Sequence, residues 1–123
     1  MQKPLDGRRV LLVEDAPYVR DALTMLLERE GAVVVAVATG QEALALTSSA
    51  PFDLVLTDLA LPDMGGDAVV SGARAAWPRV RALVLTASGE PLMSRARAAG
   101  AEVVLEKPVE WGVLLDRLAR RAA

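Results

Sequence analysis

Four apolar runs in this sequence end abruptly in polar residues. Val10-Leu11-Leu12-Val13 leads into Glu14-Asp15, the run from Phe52 to Thr57 leads into Asp58, the run from Val80 ends in Thr86-Ala87, and the run from Glu102 to Leu105 precedes Lys107-Pro108. If these runs are strands of one sheet, three carboxyl groups, a hydroxyl and an ammonium gather at one rim. Carboxylates so placed repel one another unless positive charge cancels them, and a hard divalent cation does this. Mg²⁺ takes a few carboxylates together with waters and phosphate oxygens. In that reading Asp15 and Asp58 bind Mg²⁺ directly with a loop carbonyl such as that of Ala60, and Glu14 acts through water. A carboxylate can also be a nucleophile, giving an aspartyl phosphate, and Asp58 is placed for that role. Lys107 would meet a phosphoryl oxygen as a flexible point charge, and Thr86 would donate its hydroxyl to another. Ala87 leaves the pocket open and lines it with backbone.

Histidine and cysteine are both absent, which removes imidazole catalysis, thiolate metal sites, the common zinc chemistries and disulfides. In-line phosphoryl transfer needs positioning and charge neutralisation more than acid–base groups, so it is untouched by that loss. The 123 residues suit one domain, and 53% apolar content supports a packed core. A net charge of −2 gives no basic field for nucleic acid. The start, Met1 to Arg9, has no apolar leader, and no run approaches the ~20 residues needed to span a bilayer. A soluble, cytoplasmic chain without a membrane partner is expected.

The elements that must position these groups follow from periodicity. Val19, Ala22, Leu23, Leu26 and Leu27 form one helical face, with Pro17 in the first turn and Gly31 as the stop. Val33 to Val37 is a β-branched strand, and Thr39-Gly40-Gln41-Glu42 is a capping box opening a helix through Ala43, Leu44 and Leu46. Leu61 to Gly66 is a loop; a helix from about Asp67 to Trp77 is closed by Pro78. A weak Ala/Arg-rich helix covers about Pro91 to Ala99, and a last one, near Glu110 to Arg121, buries Val113, Leu114 and Leu118. Five alternations of strand and helix predict an α/β fold. Its five-stranded parallel sheet is covered on both faces, doubly wound by five helices in the flavodoxin-like order 2-1-3-4-5. Ligands of such sheets sit at the carboxyl ends of the strands, where these polar groups stand.

Taken singly, each group has an ordinary explanation: Glu14-Asp15 as a helix cap, Asp58 as a polar strand end, Thr86 satisfying nearby backbone, Lys107 as a solvated lysine. Their joint placement favours the chemical reading. With this set and spacing, together with Pro62 and Gly66, the sequence resembles the receiver domain of two-component response regulators over about Arg8 to Leu118, within a single domain spanning 1–123. The resemblance implies that Asp58 accepts phosphate from a phosphohistidine on a sensor histidine kinase or phosphotransfer protein. It also implies Mg²⁺ on Asp15, Asp58 and the Ala60 carbonyl, with Thr86 and Lys107 gripping the phosphoryl group. Their inward movement would reshape the face of the fourth helix, fifth strand and fifth helix for a downstream target protein. The lead-in Leu5-Asp6-Gly7-Arg8-Arg9 resembles that of receivers carried behind kinase cores, so a hybrid histidine kinase is one possible context and a free-standing receiver the other.

One departure from the family pattern stands out. The aromatic usually found three residues before the lysine is Val104 here, with no ring to swing. Signal is expected to leave by another route, around Thr86 to Pro91, where Ser88-Gly89-Glu90-Pro91 and the weak fourth helix should be mobile. Ala60 and Ser88 are small and leave room for attacking water. Arg74, Arg79, Arg81, Arg95 and Arg97 are read as solvated helix faces, Trp77 and Trp111 as packing anchors, and Tyr18 as an exposed aromatic. The competing functions are a small Mg²⁺-dependent phosphatase, a flavodoxin-like ligand binder and a degenerate receiver. The first lacks an acid at Ala60, the second lacks a phosphate loop after the first strand, and the third is opposed by the intact acids, threonine and lysine.

Overall fold

Alternating side chains along each strand sort the core into two layers, one on each face of a parallel sheet. The computed structural model describes residues 2–120. Its strands β1 (Arg9–Val13), β2 (Val33–Val37), β3 (Leu54–Asp58), β4 (Arg81–Thr86) and β5 (Val103–Glu106) pair in the expected order β2-β1-β3-β4-β5. The helices are α1 (Pro17–Arg29), α2 (Gly40–Ala45), α3 (Gly66–Ala76), α4 (Leu92–Ala98) and α5 (Trp111–Ala119). Val10, Leu12, Leu54, Leu56, Leu83 and Leu85 pack under α1 and α5 with Leu27, Leu114 and Leu118. The alternate residues Leu11, Val13 and Val55 meet Val69, Ala73 and Trp77 of the α3 layer, and Ala82 and Val84 meet Val70 and Ala96.

Several expectations are corrected. Val19 and Ala22 belong to the predicted apolar face of α1 but are exposed, because α1 rests on the sheet through Leu23 and Leu27. Val113 is exposed for a similar reason: Leu114 and Leu118 turn to the sheet and carry it to the far side of α5. The sheet is not covered evenly either. Edge strand β2 buries Val34 beneath α1, while Val33 and Val35 on the other face lie past the short α2 and remain exposed. The capping-box helix stops at Ala45, and Leu46 begins a 3₁₀ turn. The final residue assigned to the last helix, Arg121, lies outside the described residues.

Arg81 is no solvated charge. Its Nε meets Glu102 at 2.7 Å, and it donates to the carbonyls of Arg117 (2.8 Å), Leu118 (3.0 Å) and Arg120. Arg8 adds bonds to Leu118 and Ala119, so an arginine just before β1 and another opening β4 satisfy the last carbonyls of α5, which an isolated helix leaves unpaired. Arg74 likewise donates to the Val80 carbonyl at 2.9 Å. The helix α4 is short and buries only Met93 and Ala96.

The loop after β3 is held from two sides. Gly66 N–H donates to the Leu59 carbonyl at 2.7 Å, and a Cβ on Gly66 would stand 2.1 Å from the carbonyl oxygen of Asp58. Only glycine lets α3 begin this close to the end of β3. The Asp63 carboxylate accepts the N–H groups of Gln41 (2.8 Å) and Gly40 (2.9 Å), pinning the loop to the start of α2. The Gln41 N–H is the main reason the Asp63 carboxyl is held below the ordinary aspartate range, against a smaller opposing effect of desolvation. Gly66→Ala is expected to lower unfolding free energy by about 1–3 kcal/mol, since backbone must yield to the new methyl. Gly112→Ala, in α5 with nothing within 4 Å of the added Cβ, should instead stabilise by about 0.4–1 kcal/mol. Urea unfolding of the two variants checks the opposite signs.

Candidate functional site

The same alternation that builds the core delivers the chemistry. Val10 and Leu12 of β1 are followed on their face by Glu14, Leu54 and Leu56 of β3 by Asp58, and Val103 and Leu105 of β5 by Lys107. The three side chains therefore leave the sheet at its carboxyl end on the α1/α5 side. Backbone bonds fix their positions: Glu14 N–H to the Val37 carbonyl (3.0 Å), Leu59 N–H to Leu85 (3.2 Å) and Lys107 N–H to Thr86 (2.8 Å).

Lys107 spans the crevice. Its Nζ lies 2.9 Å from Asp58 Oδ2 and 3.4 Å from Glu14 Oε1. Asp58 Oδ1 accepts the Ala60 N–H at 3.1 Å, and Glu14 Oε2 accepts that of Ala16, also at 3.1 Å. Glu14 is nearly sealed, with 4% of its side chain exposed, whereas Asp58 keeps 12% and stays within reach of a reagent in solvent. Asp15, outside the strand, is exposed beside them, and the carboxyl oxygens of Glu14, Asp15 and Asp58 lie within 4.8 Å of one another.

One ammonium for three carboxyl groups leaves the cluster short of positive charge. One oxygen from each carboxyl group lies close enough to the others for a single Mg²⁺ to be shared among them, directly or through water. The donor set is all oxygen, as a hard cation requires, and these residues fit one.

The Thr86 hydroxyl is hydrogen-bonded to Ser88 and to neither Asp58 nor Lys107. Thr86 follows the alternation of Ala82 and Val84, towards the α3/α4 layer, and is fully buried. Its Oγ1 accepts the Ser88 N–H at 2.8 Å and faces the Ser88 carbonyl at 3.4 Å. Ala87 is exposed at the rim, and Ala60 and Ser88 line a cavity of about 240 Å³ beside Asp58 together with Asp67 and Arg95, which pair at 3.3 Å. Val104 is half-buried in the α4 layer, remote in character from a swinging ring.

Sequence reasoning missed Arg20. Its Nη1 donates to the carbonyls of Glu14 (3.0 Å) and Asp15 (3.4 Å) from the end of the first turn of α1. The signal was available, since an arginine six residues past Glu14 and five past Asp15 faces back over the helix start.

Burial alone would lower the pKa of Lys107, but the hydrogen bond and charge of Asp58, helped by Glu14, outweigh it and raise the value above the usual 10.5. A raised folded-state pKa means that the stabilisation is fully present below pH 10.5 and lost as pH rises through the higher folded value. Wild type should accordingly exceed Lys107→Met in stability by a constant margin from neutral pH to about 10 and by a shrinking one above it. Urea titrations across that range measure the margin.

Comparison with known proteins matches residues 10–119 to the family model described as the response regulator receiver domain. A response regulator receiver protein of Anaeromyxobacter sp. (strain Fw109-5) is 39% identical over 110 residues, covering 89% of this chain and 46% of that protein. The receiver domain protein of Methanospirillum hungatei JF-1 superposes with a TM-score of 0.87 at 31% identity, covering 92% of this chain and 91% of the other. Response regulator TrrA of Thermotoga maritima, solved with Mg²⁺-BeF, gives 0.80 at 27% identity over 90% and 96% of the two chains. The chain spans about half the length, or less, of the curated relatives it matches.

Proposed function

This chain belongs to the response regulator receiver domain family, a family of phosphorylation-dependent switches, and we propose that Asp58 is its phosphoacceptor. The observation that carries this is the Lys107 ammonium at 2.9 Å from Asp58 Oδ2, within a cluster of acids at the carboxyl ends of the strands. The module comprises residues 1–123 with its core at about 8–118. No helix among the described residues is long and apolar enough to cross a membrane, and the module works in the cytoplasm.

An Asp58 carboxylate oxygen attacks the phosphorus of a phosphohistidine on a sensor histidine kinase or phosphotransfer protein. A P–O bond forms as the P–N bond breaks, and the imidazole leaves with the electron pair. Lys107 moves from carboxylate to phosphoryl oxygen and holds part of the transferred charge. Asp15, Asp58 and the Ala60 carbonyl would hold Mg²⁺, with Glu14 through water; the ion supplies the remaining charge neutralisation. An apolar groove of about 490 Å³ supports a protein donor: Val19, Leu23 and Leu26 of α1 face Trp111 and Leu114 of α5, and the groove runs to Lys107.

As a phosphoryl ligand Thr86 would donate the hydroxyl proton that now faces the Ser88 carbonyl, and that exchange couples Asp58 to the loop before α4. The surface of α4, β5 and α5 then changes for a downstream protein, or for another part of a longer chain, without contact to nucleic acid by this module. Ala60 supplies no general acid, so the chain is a phosphoacceptor rather than a turnover enzyme, and its own catalysis goes no further than self-phosphorylation from small donors and autodephosphorylation.

With acetyl phosphate and Mg²⁺, intact mass should rise by one phosphoryl group in wild type and stay unchanged in Asp58→Ala. Thr86→Ala should still be modified, with beryllofluoride affinity lowered on the order of 10–100-fold for loss of a hydrogen bond to a charged group. Modification of Asp58→Ala at the wild-type level contradicts the assignment. In the same samples the Val104 methyl resonances should move little on adding beryllofluoride, and large saturating shifts there contradict an exit route confined to the loop before α4.

A further inference from the structure

The loop carrying Glu14 and Asp15 has one guanidinium behind it. Arg20 Nη1 reaches the Glu14 carbonyl at 3.0 Å and the Asp15 carbonyl at 3.4 Å, and among the described residues no other side chain donates to either. The Arg20 backbone is itself fixed, its N–H donating to the Ala16 carbonyl at 2.9 Å and its carbonyl accepting the Thr24 hydroxyl at 2.8 Å. Glu14 has further restraints in the Val37 carbonyl, the Ala16 N–H and Lys107. Asp15 has no other side-chain donor, and its carboxylate is exposed.

We infer that Arg20 is a positioning residue: by clamping two successive carbonyls it fixes the direction in which the Glu14 and Asp15 carboxylates enter the crevice and so sets affinity for the divalent cation. The inference rests on the proposed use of that cluster to hold Mg²⁺. Two opposing effects give it a sign. As a bare positive charge near a cation site, Arg20 weakens cation binding, and its removal tightens binding. As a clamp on backbone beside a metal ligand, it strengthens binding, and its removal weakens it. Restraint of metal ligands by outer groups commonly contributes ten- to hundredfold in affinity, so the clamp outweighs a partly solvated charge that salt screens.

The test is a Mg²⁺ titration of the whole chain followed through the Asp15, Ala16 and Asp58 amide resonances, without phosphodonor. Wild type is compared with Arg20→Met, which keeps the apolar stem, and Arg20→Lys, which keeps the charge and a donor. Circular dichroism establishes that each variant is folded. The expected result is an apparent Kd about tenfold higher for Arg20→Met, a smaller loss for Arg20→Lys, and little change in either ratio when salt is raised. An unchanged or lower Kd in Arg20→Met overturns the clamp while leaving the phosphoacceptor reading intact. Failure of wild type itself to bind Mg²⁺ overturns both.

Discussion

Like charge gathered at one end of a sheet is the constraint around which this molecule is organised. Three carboxyl groups from two strand ends lie within 4.8 Å, one of them almost out of water, and the Lys107 ammonium between Glu14 and Asp58 is the cation that makes the arrangement tolerable. Paired in this way, the buried Glu14 avoids the large cost of an isolated charge. The pairing also has a mechanical consequence. Lys107 comes from β5, Asp58 from β3 and Glu14 from β1, so one ammonium ties together strands with β4 lying between two of them. The cluster stays undercompensated, and the groups that would complete it, a hard cation and a phosphoryl group, are those the proposed reaction brings.

Thr86 and the residues beyond it occupy a different layer. Alternation sends its hydroxyl to the α3/α4 side, where the Ser88 backbone engages it. In the proposed switch, coupling between acceptor and surface passes through this hydroxyl as it changes the partner to which it donates. The short α4 next to it, bound through Met93, Ala96, the Asp67–Arg95 pair and the Glu90–Arg97 pair, is an element that can respond at low cost. With valine at position 104 there is no ring in β5 to record the proposed event.

Much of this was legible in the sequence because strand alternation is strict. Counting in twos from Val10, Leu54 and Val103 leads to Glu14, Asp58 and Lys107, and five apolar runs separated by amphipathic segments imply the sheet. Periodicity tells which residues share a face, but not whether another element covers that face. Val19, Ala22 and Val113 were assigned to the core on periodicity and are exposed, while Val33 and Val35 stand past the end of a helix too short to reach them. Contacts between polar side chains and distant backbone were also beyond reach. Arg81 capping the carbonyls of α5, and Asp63 holding Gly40 and Gln41, join segments more than twenty residues apart through groups that carry no sequence signature.

The most direct test is a crystal structure of the chain with Mg²⁺ and beryllofluoride. The account predicts the beryllium on an Asp58 carboxylate oxygen, Lys107 turned onto a fluorine, a single metal shared by Asp15, Asp58 and the Ala60 carbonyl, and the Thr86 hydroxyl turned from the Ser88 carbonyl onto a fluorine. Beryllofluoride on another carboxylate, or Lys107 still bound to Asp58 and Glu14 with metal only on outlying acids, would contradict it.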